Sequence, residues 1–340
     1  MKVIIEIEED IMKEQTRISC EQLIENRDRI KSVFSWDGGL INLACSGIFT
    51  SKDMMVNEAV LEECKNMLKH KVSFFSNFRG TARSPIAALL ATDSNPSQTL
   101  ENGLLVYELL KKDFWTSSYL PLAAMIIAQM AQPSQYEEIA SRTRSIYNLM
   151  KKEHPFLTSS EDSAFCGLMA LSDKEDDAMI KDAEQCYNRL KPNFFSSNAV
   201  QSLSHVLALC DGDSDDKCKK TMELFEKLKT AGHKYGTDYE LPTLGVLAMS
   251  GGSSDEIVLE ISEIDSWLSR QNGFGFFSSI TRKQRLMYAG IIAQKDFLNK
   301  ETLQTAAVNS TISLIIAQQA AMCAAIAASS AAAASSSSSN

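Results

Sequence analysis

A sequence pattern that returns about every forty residues limits this chain more than any other feature. Units open with Leu or Met, in most cases followed by Lys, at positions 38 to 42 residues apart. These openings are Leu68, Leu110, Met150, Leu190, Leu228 and Leu268, and Ile30 opens a weaker unit before them. Self-similarity at a fixed period of this length is typical of repeat architectures, in which each unit packs mainly on its neighbours.

Each unit contains the same order of local patterns. A loop with Phe, Ser, Thr, Asn or Gly comes first, followed by a short apolar segment such as LPLAAMIIA at 120–128. After a polar turn, a longer segment with apolar residues at helical spacing closes the unit, such as KCKKTMELFEKLK at 217–229. This order predicts an αα-hairpin whose first helix is buried and whose second helix keeps one face in solvent.

The sequence therefore predicts an all-α fold of tandem αα-hairpin repeats of about 40 residues, forming a helical solenoid or an αα-toroid. We expect N-terminal helices at 1–67, six hairpins at 68–296, an Ala-rich helix at 297–328 and a disordered Ser/Ala tail at 329–340. Helix breaks are predicted near Asn95, Pro133, Lys174, Gly212 and Gly252.

The charge balance argues against one class of partner. The chain has 43 acidic and 34 basic side chains, for a formal net charge of −9. A protein that coats nucleic acid needs a basic surface that displaces counterions from phosphates. We therefore expect no nucleic-acid partner.

Two features favour a cytoplasmic protein. The first residues, MKVIIEIEED, lack the long apolar region and the cleavage site of a secretory signal. The eight cysteines form no CxxC pair and are spread through apolar helical segments, where Cys behaves as a small hydrophobe. Reduced thiols in a reducing compartment are the expected state.

The C-terminal part of the chain has an unusual composition. From Thr302 to Asn340 there is no charged residue, and 311–328 reads TISLIIAQQAAMCAAIAA. An uncharged stretch of this length can span a bilayer. Two central glutamines, a high Ala content and the lack of flanking aromatic or basic residues argue against insertion. We expect a helix packed on the body of the protein and no membrane span.

Several strings resemble a known bacterial family. They are FRGTARSPIAALLA at 78–91, HPFLTSSEDSAFCGLMALS at 154–172, NAVQSLSHVLAL at 198–209 and KYGTDYELPTLGVLA at 234–248. On these strings the chain is similar to the domain of unknown function family 4003. The resemblance covers most of the chain and implies no activity, cofactor or partner.

Familiar catalytic and metal-binding motifs do not occur. The four histidines, His70, His154, His205 and His233, lie far apart and form no HExxH or HxxxH pattern. The acidic run DGDSDD at 211–216 has Asp where a calcium loop needs Gly at its sixth position. We therefore expect neither a metal site nor a cofactor.

One column of the repeat places charged residues at the starts of the apolar helices. When the units are aligned on the late Ala of each apolar segment, Arg83, Asp162, Glu240 and Arg285 share one position, and Glu161 and Tyr239 precede it. Arg79, Gln201 and His205 are expected nearby. The candidate site residues are thus Arg79, Arg83, Glu161, Asp162, Gln201, His205, Tyr239, Glu240 and Arg285.

Two interpretations of this column remain open. In the first, Arg83, Asp162, Glu240 and Arg285 face one cavity that binds an anionic or zwitterionic ligand or performs acid/base chemistry. In the second, the carboxylates stabilise helix N-termini and the arginines tie neighbouring loops together. The arginines oppose the helix dipole, so they need a compensating carboxylate or a bound anion.

No motif assigns a function. The repeat favours a cytoplasmic binding or scaffold protein with a protein or peptide partner, because helical solenoids present extended surfaces. The alternative is an enzyme or a small-ligand binder with a polar cleft at the starts of the inner helices. A tethered form that uses the C-terminal segment is a third, less favoured class.

Overall fold

The chain is all-helical in the part that the structure describes. A computed structural model describes residues 12–73, 76–80, 82–114, 117, 119–159, 162–275, 278, 280–304, 323, 325 and 326. These residues form fourteen α-helices and no strand. The helices are α1 (Glu14–Val33), α2 (Gly39–Thr50), α3 (Glu58–Lys71), α4 (Arg83–Ala91), α5 (Pro96–Phe114), α6 (Leu120–Met130), α7 (Tyr136–Glu153), α8 (Ser163–Met169), α9 (Asp176–Leu190), α10 (Ser197–Leu209), α11 (Ser214–Thr230), α12 (Leu241–Ala248), α13 (Ser254–Ser269) and α14 (Arg282–Gln304).

Two kinds of helix alternate along the chain. The even-numbered helices from α2 to α12 are short and apolar, and α12 (LPTLGVLA) is buried at every position. Odd-numbered helices are amphipathic, and α9 buries one face that includes Met179, Ala183 and Leu190 while its acidic face stays in solvent. An apolar sequence without a polar face must be covered on all sides, whereas an amphipathic one packs only its apolar stripe. The alternation therefore follows from the sequence pattern.

The predicted helix breaks are confirmed. Each lies between a buried helix and the exposed helix that follows it: α4/α5, α6/α7, α8/α9, α10/α11 and α12/α13. At one of them Gly212 has φ +108°, a left-handed conformation that side chains rarely adopt. One predicted boundary differs, because α14 runs without interruption from Arg282 to Gln304 and so passes through position 296.

The buried helices pack on one another in chain order. Each of α2, α4, α6, α8, α10 and α12 contacts the next even-numbered helix. Gly245 permits one close approach, since a Cβ there would lie 2.5 Å from Leu203 Cδ1 of α10. Leu and Ala side chains from successive buried helices thereby form a continuous core.

The two ends of the described helical array are in direct contact. Helix α14 packs on α1 and α2, and α13 packs on α1. Lys13 forms an ion pair with Glu260, and Lys295 forms one with Asp53. Arg27 also donates a hydrogen bond to the carbonyl oxygen of Asn272 at 2.8 Å. The first and last helices are therefore joined by apolar packing and by polar contacts.

Long polar side chains cover the C-terminal ends of several buried helices. Lys217 Nζ donates to Leu207 O at 2.8 Å and Cys210 O at 3.2 Å at the end of α10. Arg142 donates to Ala170 O and Ser172 O after α8, and Gln129 donates to Leu89 O near the end of α4. The last carbonyls of a helix have no partner within it, so these donors satisfy them, and the cations also complement the helix dipole.

The C-terminal segment is described at only three positions. Cys323, Ala325 and Ile326 are helical, buried and part of the apolar core. The predictions for the rest of 305–340, including the Ser/Ala tail, fall outside the described residues. Within the described part of the chain, none of the helices combines the length and apolar character that a membrane crossing requires.

Candidate functional site

A cleft of about 210 Å³ opens at the N-terminal ends of the buried helices. Its lining comes from the first turns of α8 and α10, from the residues just before α6, α8 and α12, and from the C-terminal segment. The lining residues are Tyr119, Asp162, Ala164, Phe165, Asn198, Ala199, Ser202, Asp238, Tyr239 and Cys323. We call this site the helix-start cleft.

Local hydrogen bonds hold the polar side chains of the helix-start cleft. Asp162 precedes α8, and its Oδ2 accepts from Ser159 N at 2.7 Å and from Ser159 Oγ at 3.2 Å. The hydroxyl of Tyr239 accepts from Gln284 Nε2 at 2.6 Å. The loop before α8 is thus held by its own hydrogen bonds and the loop before α12 is tied to the first turn of α14, which pre-organises the cleft.

The helix-start cleft is acidic and aromatic. Asp162 and Asp238 contribute carboxylates, while Tyr119, Phe165 and Tyr239 contribute rings. Among the described lining residues there is no Lys or Arg. The charge of this site is therefore negative, which suits a ligand with a positive group.

Cys323 brings the C-terminal segment to the helix-start cleft. It is buried, and burial raises the pKa of its thiol to about 12. The other seven cysteines are also buried free thiols. Cys323 therefore lines the site as a neutral, weakly polar group.

Glu240 lies next to the helix-start cleft without lining it. Its side chain is buried, and its Oε2 accepts a hydrogen bond from Asp238 N at 3.1 Å. A Cβ at Gly236 would lie 2.1 Å from the carboxyl carbon of Glu240, so the loop before α12 covers this side chain closely. Burial raises the pKa of the Glu240 carboxyl above its usual value.

Gln201 and His205 lie inside α10 and do not line the helix-start cleft. Gln201 Nε2 donates to Thr158 Oγ1 at 3.3 Å, and both side chains are buried. Burial lowers the pKa of His205 to about 3, so its imidazole is neutral at pH 7. The ring centroids of His205 and Phe165 lie 5.9 Å apart, which places the histidine behind an aromatic wall of the cleft.

Arg79 and Arg83 line a different cleft, between α3 and the start of α4. Arg83 Nη2 lies 3.1 Å from Asp37 Oδ1, and Ser84 donates to the other oxygen of the same carboxylate. Arg79 donates to the backbone carbonyls of Lys69 and Val72 at the end of α3. These two candidates are therefore near one another and separate from the cleft that Asp162 and Tyr239 line.

Arg285 belongs to a third group of polar residues. Its Nε donates to Asp265 Oδ1 at 2.6 Å and its Nη1 donates to Phe274 O at 2.9 Å. His233 Nδ1 lies 3.1 Å from the other oxygen of Asp265. Burial alone would raise the pKa of Asp265, but hydrogen bonds from His233 and Arg285 and the arginine charge outweigh it and lower the pKa.

The arrangement differs from the predicted cavity shared by Arg83, Asp162, Glu240 and Arg285. Only Asp162 of these four lines the helix-start cleft, where it meets Tyr239. Each arginine has a carboxylate partner outside the repeat column, Asp37 for Arg83 and Asp265 for Arg285. A long arginine side chain reaches residues well away from its own helix end, so a shared column does not imply a shared cavity. Glu161 lies outside the described residues.

Some lining residues were not among the candidates. Tyr119 occupies the same repeat column as Tyr239, so the alignment carried a signal for it. Asn198, Ser202 and Asp238 stand within a few positions of that column. Nothing in the sequence near Cys323 indicates that this residue reaches the same site. Among the described residues there is no cluster of three His, Cys, Asp or Glu side chains that could hold a metal ion.

A comparison with protein families assigns the chain. A family model described as "Protein of unknown function (DUF4003)" matches residues 26–321. The chain belongs to this family. The matched range includes all helices from α2 to α14 and the C-terminal part of α1, from residue 26 to Val33.

One relative matches the chain over most of the length of both proteins. The chain is 24% identical over 301 residues to "Uncharacterized protein YeaA" of Bacillus subtilis (strain 168), covering 87% of this chain and 90% of that protein. No solved structure matches the chain significantly. Neither the family description nor this relative's name assigns an activity.

Proposed function

We propose that the described helices form a closed ring of αα-hairpins, an αα-toroid, in a cytoplasmic protein. The contacts of α14 with α1 and α2 and of α13 with α1 support ring closure. The ion pairs of Lys13 with Glu260 and of Lys295 with Asp53 join the same two ends. An open solenoid would leave its first and last repeats apart. In a ring, the starts of all buried helices lie along one rim.

We further propose that this rim holds a binding site for a small ligand with a cationic amine and an apolar body. The observation that carries the proposal is the composition of the helix-start cleft, which has two carboxylates, three aromatic rings and no basic residue among its described lining. Carboxylates bind ammonium groups by charge-assisted hydrogen bonds. Aromatic faces add cation–π attraction and apolar contact area.

The sign of the ligand charge follows from the arginine positions. The repeat column alone favours an anionic or zwitterionic ligand because it includes Arg83 and Arg285. Both guanidinium groups instead pair with Asp37 and Asp265, and neither lines the helix-start cleft. The remaining charged groups there are Asp162 and Asp238, so we propose a cation.

Binding fits the geometry better than catalysis. Glu240, whose raised pKa suits a general acid, is covered by the loop before α12 and does not line the helix-start cleft. A general acid must lie within hydrogen-bond reach of the group that it protonates. We therefore assign no catalytic step to this site.

The test is a ligand screen with matched variants. Native mass spectrometry and calorimetry would be run with arylalkyl amines and with their neutral alcohol analogues. We expect the amines to bind and the alcohols to bind at least about tenfold more weakly, since a charge-assisted hydrogen bond contributes roughly 1.5–3 kcal/mol. Asp238→Asn should weaken amine binding by a similar factor.

The control is Asp216→Asn, which removes an exposed carboxylate of the same type from the first turn of α11. Amine binding should be unchanged by Asp216→Asn. Equal binding of amines and alcohols, or equal loss in both variants, would contradict the proposed cation site.

A second candidate function is a protein or peptide partner at the same end of the buried helices. Trp36, Phe156 and Phe195 lie in the loops before α2, α8 and α10, and all three side chains are essentially fully exposed. Large exposed aromatics are enriched at protein interfaces. Replacing all three aromatic residues by Ser should leave the unfolding temperature unchanged. A partner that is cross-linked to the unaltered protein should no longer be cross-linked to this triple variant.

A further inference from the structure

A second cleft, of about 460 Å³, lies between α3 and the start of α4. We call it the basic cleft. Its lining includes four cationic side chains and a single carboxylate, although the chain as a whole has a net charge of −9. The lining residues are Glu62, Lys65, Asn66, Leu68, Lys69, Arg79 and Arg83.

The local carboxylates balance only part of this positive charge. Glu62 Oε2 lies 2.9 Å from Lys65 Nζ, and Asp37 Oδ1 lies 3.1 Å from Arg83 Nη2. Lys69 forms no ion pair with any residue that the structure describes. Arg83 Nε is shielded from solvent and has no hydrogen-bond acceptor among the described atoms. The basic cleft thus offers an unbalanced ammonium group beside a partly exposed guanidinium.

Backbone and aromatic contacts hold three of the cations in position. Lys65 Nζ donates to Val33 O at 2.9 Å, and Lys65 and Arg83 lie 5.3 and 5.5 Å from the centroid of the Phe34 ring. Arg79 is fixed by hydrogen bonds to the last carbonyls of α3. Side chains that are already positioned lose little conformational entropy when a ligand binds.

We propose that the basic cleft binds the phosphate group of an anionic ligand. A phosphate ester carries close to two negative charges at neutral pH and offers several acceptor oxygens, which match lysine and arginine donors. Binding supplies a counter-charge for Lys69 and acceptor oxygens for the exposed part of the Arg83 guanidinium. Arg79 and Arg83, which the sequence selects as ligand-binding residues, thereby contribute to an anion site of their own. This inference does not depend on the amine site proposed above.

The test uses inorganic pyrophosphate as the soluble probe and titration calorimetry as the measurement. We expect pyrophosphate to bind the unaltered protein and Lys69→Glu to weaken binding by at least about tenfold, with the unfolding temperature unchanged because Lys69 is exposed. Arg83→Gln should weaken binding as well. Lys112→Glu is the matched control, since Lys112 is an exposed lysine in the last turn of α5 and lies outside the basic cleft.

A second arm separates the two sources of a phosphate group. Vesicles of phosphatidylcholine with phosphatidic acid would be tested by co-sedimentation with the same variants. Binding of pyrophosphate alone assigns a soluble phosphate ester, and binding of vesicles that Lys69→Glu abolishes assigns a lipid headgroup. If neither probe binds, or if Lys69→Glu and Lys112→Glu have the same effect on both probes, the proposal is overturned.

Discussion

The two ends of the buried helices have opposite chemistry. At the C-terminal ends, the long side chains of Lys217, Arg142 and Gln129 donate hydrogen bonds to backbone carbonyls at the ends of α10, α8 and α4. At the N-terminal ends, carboxylates, aromatic rings and exposed loops surround the helix-start cleft. The cations at the C-terminal ends and the carboxylates of the helix-start cleft suit the helix dipole, which favours cations at C-termini and anions at N-termini. Arg83 and Arg285, at the starts of α4 and α14, oppose it.

The difference lies in how deeply the charged side chains are buried among their partners. Lys217 is almost fully buried and combines two backbone acceptors with an ion pair to Asp182. Asp238, in contrast, is exposed at the mouth of the helix-start cleft, where its Oδ1 accepts a hydrogen bond from Ser196 Oγ at 3.3 Å. We infer that one end of the buried helices mainly stabilises the fold and that the opposite end is available for ligands.

The largest expected effect is at the C-terminal end. Lys217→Ala removes the donor to Leu207 O and Cys210 O and leaves the carboxylate of Asp182 without its cation. We expect the free energy of unfolding to fall by about 3 kcal/mol, which is the usual cost of breaking a well-buried ion pair. This change in the free energy of unfolding is measured by urea denaturation, with circular dichroism as the signal. Lys219→Ala, an exposed position on the same helix, should change the free energy by less than about 0.5 kcal/mol.

A smaller loss is expected at the mostly buried ion pair between Arg285, in the first turn of α14, and Asp265. Arg285→Ala leaves Asp265 with His233 as its remaining side-chain hydrogen-bond donor and should lower the free energy of unfolding by about 2 kcal/mol at pH 7. If Arg285→Ala lowered the free energy of unfolding as much as Lys217→Ala does, the two ends of the buried helices would not differ in their contribution to stability.

The same variant has a defined pH dependence. The folded-state pKa of Asp265 is lower than its usual value, so its stabilisation is present above the unfolded-state pKa and is lost as pH falls through the folded-state pKa. The difference in stability between the unaltered protein and Arg285→Ala should therefore shrink as pH is lowered from about 5 to below 3. A difference that stays constant over this range would show that Asp265 is not the group responsible.

Tyr239→Phe should separate binding from stability at the helix-start cleft. It removes the hydroxyl that accepts from Gln284 Nε2, a neutral hydrogen bond that contributes about 1 kcal/mol. We expect a loss of stability no greater than that, together with weaker binding of an amine ligand in calorimetry. Unchanged binding would place the ligand away from the Tyr239 hydroxyl.

The smallest effect is a gain. Burial raises the folded-state pKa of Glu240, so ionisation of this carboxyl opposes folding as pH rises through that pKa. Glu240→Gln keeps an oxygen that can accept from Asp238 N and removes the buried charge. The variant should be more stable than the unaltered protein at pH 7, and the gain should fade toward pH 4. Thermal unfolding at the two pH values would show it, and a loss at pH 7 would contradict it.

Much of the helical structure could be predicted from the sequence. Apolar segments such as 120–128 and 241–248 have no polar face and turned out to be buried helices, while the amphipathic segment 217–229 lies in the partly exposed α11. These features depend on residues within one turn of each other, so local spacing is sufficient to predict them.

The site could be predicted only in part. Asp162 and Tyr239 were identified because helix starts lie at the same place in each unit, and they do share a cleft. The carboxylate partners of Arg83 and Arg285 could not be predicted, because they lie outside the repeat column. Asp37 is in the loop before α2, and Asp265 is in α13. Cys323 approaches the cleft from a segment far along the chain, and no local pattern reports such a contact.

The contact between the first and last helices has a consequence for synthesis on the ribosome. Lys13 and Arg27 of the N-terminal region find their partners 247 and 245 residues later in the chain. At about 5–20 residues per second, those partners emerge roughly 12–50 s after α1 does. During that interval the nascent chain carries the apolar face of α1, including Leu23 and Ile30, without part of its final cover. Helix α1 therefore completes its packing only after α13 and α14 have been synthesised.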